Sequence, residues 1–181
     1  VEAVIARDHG IDRRVYPAMT RPVGFPVTIL EPESDRNRIA LGFDMYSEPR
    51  RRAAMDKAWR TGEAAATQSV HLVQEGRRVQ QPGFLIYLPL PALDGAPAAT
   101  MPGRTPIRGF AYAPVRIGDF FRNALQPVRD SGLGFHVVAE EDGRRVELFA
   151  DGPLTGKRHD RTLAVVARTW QVEVYDPYGG F

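Results

Sequence analysis

The stretch Gly83–Phe84–Leu85–Ile86–Tyr87–Leu88–Pro89–Leu90–Pro91 constrains this chain more than any other. Successive side chains on a strand point to opposite faces, so Phe84, Ile86, Leu88 and Leu90 share one face and Leu85, Tyr87 and Pro89 the other. Both faces are apolar apart from the Tyr87 hydroxyl. Such a strand needs cover on both sides, which predicts a central strand with Phe84, Ile86 and Leu88 buried. The wider apolar run, Pro82–Leu93, is too short to cross a bilayer and is interrupted by Pro82, Pro89 and Pro91.

The elements around it are short. Val1–Ala6 reads as the last turns of a helix. Pro17, Pro22 and Pro26 stop any long element before residue 26. Pro26–Glu31 and Arg38–Asp44, rich in Val, Ile and Leu, predict two short strands joined by a turn at Asp35–Arg36–Asn37. Met45–Gly62 then predicts a helix, with Ser47 as cap, Pro49 in the first turn and Gly62 as the stop. Ala54, Met55, Ala58 and Trp59 form its apolar face. Thr67–Val73 predicts a strand, Gln74–Gln81 a charged loop, and Ala92–Thr105 a flexible loop of Ala, Pro and Gly. Ile107–Val115 predicts a strand. Ile117–Leu125 predicts a short helix with Phe120, Phe121, Ala124 and Leu125 inward.

After Pro127 only strands remain: Gly134–Glu140, Arg145–Phe149, Arg161–Ala167 and Thr169–Tyr175. The charge balance changes there too, from an excess of basic side chains to an excess of acidic ones. We place a boundary at that proline, giving a mixed unit over residues 1–126 and a smaller β-rich unit over 127–181. Two such units fit the 181 residues.

Composition removes several function classes. The net charge is only +2, which argues against a nucleic-acid partner, since that needs a concentrated basic surface. The absence of cysteine removes disulfide frameworks, Cys-based metal sites and Cys nucleophiles. The chain begins at Val1 with no signal-peptide pattern, and reads as a piece of a longer protein.

Catalytic patterns are weak. Asp8–His9 and His159–Asp160 put an acid beside an imidazole, but neighbours in sequence do not face each other as a catalytic dyad must. No histidine pair has the helical spacing of a metal site, and no nucleophile elbow, phosphate loop or dinucleotide fingerprint occurs. No cofactor, metal site or catalytic residue is expected. Arg50–Arg51–Arg52 stands out because it falls in the first turn of a predicted helix, where the dipole favours negative charge. It reads either as a solvated helix end beside Glu48, or as an anion site where guanidinium groups and free N–H donors converge.

A longer pattern is more specific. Phe25–Pro26–Val27–Thr28–Ile29–Leu30–Glu31–Pro32, Leu41–Gly42–Phe43–Asp44–Met45, Ser47–Glu48–Pro49 and Arg51–Arg52 come first. Thr67, His71–Leu72–Val73–Gln74, Gly83–Phe84–Leu85–Ile86–Tyr87–Leu88–Pro89 and Gly109–Phe110–Ala111–Tyr112 follow in order. Over residues 25–125 the chain resembles the CHASE domain, the extracytoplasmic sensory domain found before histidine kinases, diguanylate cyclases and adenylate cyclases. Residues 127–181 are more loosely similar to the membrane-proximal part of such modules. The resemblance implies an α+β fold of two PAS-like units with antiparallel sheets, behind an N-terminal stalk helix mostly missing from this chain. It implies a domain without chemistry of its own, on the periplasmic side of a bacterial inner membrane. There it would bind a small molecule and relay the signal to a cytoplasmic kinase or cyclase, within a membrane-anchored, homodimeric parent.

The plant cytokinin receptors belong to the same family. By similarity to them, the ligand-holding aspartate falls at Arg51. Their pocket threonines fall at Tyr87 and Thr67, a backbone contact at Val73, and two small glycines at Tyr112 and Ala113. A cation in place of the carboxylate argues against adenine-type recognition and for an acidic or polar ligand. The candidate ligand-binding residues are therefore Arg51, Thr67, Val73, Tyr87, Tyr112 and Ala113. Two other readings stay open. In one, Tyr87 and Tyr112 fill the pocket and leave a ligandless scaffold for a protein partner. The other is an enzyme built on the Asp8–His9 or His159–Asp160 pair.

Overall fold

The structure, a computed structural model, describes residues 1–72 and 82–179. Helix α1 (Glu2–His9) buries Ile5 and ends at Gly10. A one-turn helix α2 (Asp35–Arg38) and a 3-10 turn (Met45–Ser47) lead into α3 (Pro49–Thr61). The first sheet has β3 (Pro82–Pro91) at its centre. Strands β1 (Ala65–Ala66) and β2 (Val70–His71) pair with one edge and β4 (Ile107–Arg116) with the other, all antiparallel. Helix α4 (Ile117–Ala124) and a 3-10 stretch at Gln126–Ser131 connect to the second sheet. That sheet is antiparallel, with strands β5 (Gly134–Glu141), β6 (Arg144–Asp151), β7 (Lys157–Val165) and β8 (Arg168–Asp176) in the order β6-β5-β8-β7. The fold is α+β, with two antiparallel sheets.

The two apolar faces of β3 explain this arrangement. Leu85 and Tyr87 enter one core with Met55, Ala54 and Ala58 of α3, and with Val27, Leu30 and Leu41 from the irregular segment before it. Phe84 and Ile86 point the other way. They join a second core with Phe121 of α4 and Val137, Phe149 and Trp170 of the second sheet. Phe84 meets Trp170 edge-to-face at 5.2 Å, and Phe121 stacks on Phe149 at 5.1 Å. The two sheets thus share a core, although their strands do not hydrogen-bond into one sheet.

Hairpin tips of the second sheet also grip α3 and the edge of the first sheet. The buried Glu141 carboxylate accepts from the Ser69 amide at 2.7 Å and its hydroxyl at 2.6 Å. Gln68 donates to Asp142 at 2.9 Å. At the next tip, the Val166 carbonyl accepts from the Ala66 amide at 3.1 Å, and that of Ala167 from the Lys57 ammonium at 3.1 Å.

Several local expectations change. Pro26–Glu31 and Arg38–Asp44 are not strands. Only isolated bridges form there, Pro26 to Asp44 and Tyr16 to Phe43. The Ser34 hydroxyl accepts from the Asn37 amide and caps α2, so the residues read as a turn start a helix instead. Gly42 then reverses the chain at φ 79°, where an added Cβ would lie 2.8 Å from the Arg14 carbonyl oxygen. The strand expected from Thr67 is likewise broken, Val70–His71 being separate from Ala65–Ala66, because the Thr67 hydroxyl accepts the Leu85 amide at 3.0 Å. The cap of α3 is Glu48, not Ser47, whose hydroxyl donates to the Asp44 carbonyl.

Leu88 is 45% exposed and Ile86 only half-buried. The second core reaches Phe84 and Ile86 but stops short of Leu88. In α4 the inward pair is Ile117 and Phe121, one turn apart, while Phe120 and Ala124 are exposed. The predicted loop Gln74–Gln81 lies outside the described residues.

Since Phe84 is the ring on β3 that meets Trp170, Phe84→Ala should cost about 3–5 kcal/mol of unfolding free energy. Chemical denaturation read by Trp170 fluorescence in a Trp59→Phe background measures it, and a loss below 1 kcal/mol or so would contradict the shared core.

Candidate functional site

Three elements enclose an aromatic cleft. β4 carries Phe110 and Tyr112 on the same sheet face as Tyr87 of β3, with Tyr87 and Tyr112 directly paired. The segment 24–29 forms the facing wall, and Met45 and Met55 lie between. Asp44 shapes that wall. Its buried carboxylate accepts from the amides of Phe25 at 2.8 Å and Tyr46 at 3.0 Å, which fixes the chain where it turns into the cleft. Phe25 meets Phe110 edge-to-face at 4.9 Å and Trp59 at 5.6 Å. His9 secures the far side of the wall, its Nε2 2.8 Å from the Thr28 carbonyl oxygen and its Nδ1 3.2 Å from Glu33. Those contacts, the backbone one first, raise the His9 pKa. The cavity measures about 670 Å³, inside the ~300–1,000 Å³ range of small-molecule sites.

The polar groups beneath it are strongly desolvated. Burial pushes the Tyr112 phenol up to about 12, and drives that of Tyr87 further up, with the nearby Arg51 opposing both shifts. Tyr87 contacts the Met45 sulfur at 3.5 Å. The Tyr112 hydroxyl is buried with no partner among the described residues.

The sequence-predicted residues separate here. Tyr87 and Tyr112 line the cleft. Arg51 does not. It is 3% exposed and engaged within the protein, donating to the His71 carbonyl at 2.8 Å, touching the Met45 sulfur at 3.0 Å and lying 5.0 Å over the Phe43 ring. It borders a smaller hollow of about 360 Å³ beside Ser69, His71 and Pro82.

The anion at the start of α3 comes from the chain itself. Glu48 accepts from the amides of Arg50 and Arg51 at 3.1 and 2.9 Å, and lies 3.8 Å from the Arg51 Nε. Thr67 is buried on the sheet edge with its hydroxyl taken by Leu85. Ala113 pairs with Ile86 on the opposite face and is exposed. Val73 lies outside the described residues. A residue not singled out from sequence, Arg108, does line the cleft. It stands two positions from Phe110 and four from Tyr112, an alternation visible in the sequence.

The histidine–acid neighbours do not form dyads. Asp8 pairs with Arg7 and His9 with the Thr28 carbonyl, while Asp160 pairs with Arg158. Among the described residues no group of His, Asp and Glu is placed to hold a metal ion. A charge cluster lies on the second sheet. There Glu173, 4% exposed, accepts from Arg145 and from Tyr175 at 3.0 Å, and lies 2.7 Å from the His136 ring. Desolvation pushes its carboxyl up, but the hydrogen bonds from His136, Arg145 and Tyr175 outweigh that and hold it at about 2.

The family is established by direct comparison. The CHASE domain model matches residues 1–149, from α1 into β6. The chain belongs to the CHASE domain family, whose members are extracytoplasmic sensor domains of signalling proteins and not catalytic domains. No curated protein matches the chain at a significant level.

Two outcomes follow from this geometry. Removing the Arg51 guanidinium takes the side-chain donor from the His71 carbonyl and leaves Glu48 with only its backbone amide donors. Arg51→Ala should therefore lower stability by about 1.5–3 kcal/mol in denaturant titration. For Glu173 the ordinary value is 4.5 and the folded value about 2. Its contribution is complete above the ordinary value and disappears as pH falls toward 2. Unfolding free energies measured between neutral pH and pH 2 should drop across that window, and Glu173→Gln should flatten the drop.

Proposed function

We propose that this domain is the ligand-sensing input of a membrane-anchored bacterial receptor. It stands on the periplasmic face of the inner membrane and passes occupancy of the aromatic cleft to a cytoplasmic histidine kinase or nucleotide cyclase. One observation carries the reading: a cavity of ligand size whose walls include Tyr87, Phe110 and Tyr112, with the buried Tyr112 hydroxyl lacking a partner among the described residues. Buried polar groups are rarely left unpaired, and a concave apolar site with a few polar points is the common form of small-molecule pockets. Met55 of α3 lines the cleft. On the same helix Lys57 holds the Ala167 carbonyl and Arg50 lies 3.4 Å from Asp142, both on second-sheet tips. A shift of α3 on binding would therefore reach the second sheet directly.

Native mass spectrometry of the domain purified from its own host tests the proposal. A co-purified small molecule is expected in the wild-type protein and lost in Phe110→Ala, whose fold is checked by circular dichroism. Retention of that molecule by Phe110→Ala would move the site elsewhere. A wild-type domain that carries no molecule, and whose melting temperature no small-molecule panel raises, would leave the scaffold for a protein partner as the better reading.

A further inference from the structure

We infer that the aromatic cleft selects a small organic acid, with its apolar or aromatic body against Phe25, Phe110 and Tyr87 and its carboxylate held at the rim by Arg108. This rests on the cleft being the ligand site. Among the described residues lining the cleft, Arg108 alone carries a charged side chain. An occupant fully enclosed by the other walls would be uncharged, so the rim is where an anionic group is matched.

The other arginines near the cleft are committed. Arg51 is held by His71, Met45 and Phe43. Arg52 donates to the Tyr46 carbonyl at 3.1 Å. Arg104 pairs with Asp56 at 2.6 Å and covers the Trp59 ring at 5.2 Å. No hydrogen bond or ion pair engages the Arg108 side chain among the described residues, and it is exposed.

Its position follows from β4. Arg108 is the extra residue of β4 in this ladder, which pairs Leu90 with Gly109 and Pro91 with Ile107, and it lines the cleft. The ladder shifts register between Leu90 and Pro91, just opposite, and a bulge of this kind re-aims a side chain. A guanidinium holds a carboxylate through two parallel hydrogen bonds, which supplies direction as well as charge. The cation that sequence comparison assigned to Arg51 is thus supplied from the opposite wall, by a residue the fold leaves available.

Matched pairs of probes test this: 3-phenylpropionate against 3-phenylpropanamide, and 4-methylpentanoate against 4-methylpentanamide, with inorganic phosphate as a bare anion. Calorimetry on the wild-type domain should show each acid binding at least about tenfold more tightly than its amide. Arg108→Ala should erase that preference while leaving the amide unchanged, and Arg108→Lys should keep part of it. Phosphate alone should not bind.

Equal affinity for acid and amide in the wild type, a preference that survives Arg108→Ala, or no binding of any acid at millimolar concentration would each overturn the inference. Phe110→Ala separates it from the reading beneath. If that variant loses both members of a pair while the wild type binds them alike, the cleft stands and Arg108 does not read the ligand. If it loses neither, the binding lies outside the cleft and both proposals fall.

Discussion

The double burial of β3 is the constraint on which the rest of this structure depends. A strand apolar on one face needs a single neighbour. A strand with Leu85 and Tyr87 on one side and Phe84 and Ile86 on the other needs two. Here α3 and the segment before it cover the first face, and α4 with the second sheet cover the other. Burial of large side chains is the main favourable term in folding, so the strand that offers them on both faces places everything else. Polar clamps such as Glu141 on Ser69 then set how the second sheet is seated.

Charge is handled by the same economy. Arg51 is a cation under an aromatic layer, and burying one is costly unless it is paired and hydrogen-bonded. The Glu48 carboxylate, the His71 carbonyl, the Met45 sulfur and the Phe43 ring surround it. These contacts make Arg51 a support for the floor of the cleft. Arg51, expected from the family resemblance to read ligand, is held beneath the wall, while Arg108 lines the cleft.

The sequence made much of this legible. A helix with its stop at Gly62, the strands of the second sheet and the family were readable, because each rests on local periodicity, a cap residue or a contiguous motif, although the helix read from Met45 begins only at Pro49, after a 3-10 turn. The irregular wall at residues 24–44 was not. Val27, Leu30 and Leu41 are apolar at spacings that suit strands, yet they are buried within an irregular segment that turns at Gly42. Nothing local separates an apolar side chain in a pleated strand from one in a packed turn. Leu88 and Phe120 failed for a related reason. Their faces were read correctly as apolar, but how far the covering layer extends is a property of the layer.

What the sequence by itself determined is the helix that ends at Gly62, the long strands and the demand that β3 be covered twice, since alternation and apolar character are written residue by residue. What only the tertiary structure decided is which polar groups are already taken. Whether Arg51 or Arg108 is available to a ligand depends on carbonyls, rings and carboxylates brought from distant parts of the chain. A guanidinium's availability is set by what surrounds it in space, and sequence position does not encode those neighbours.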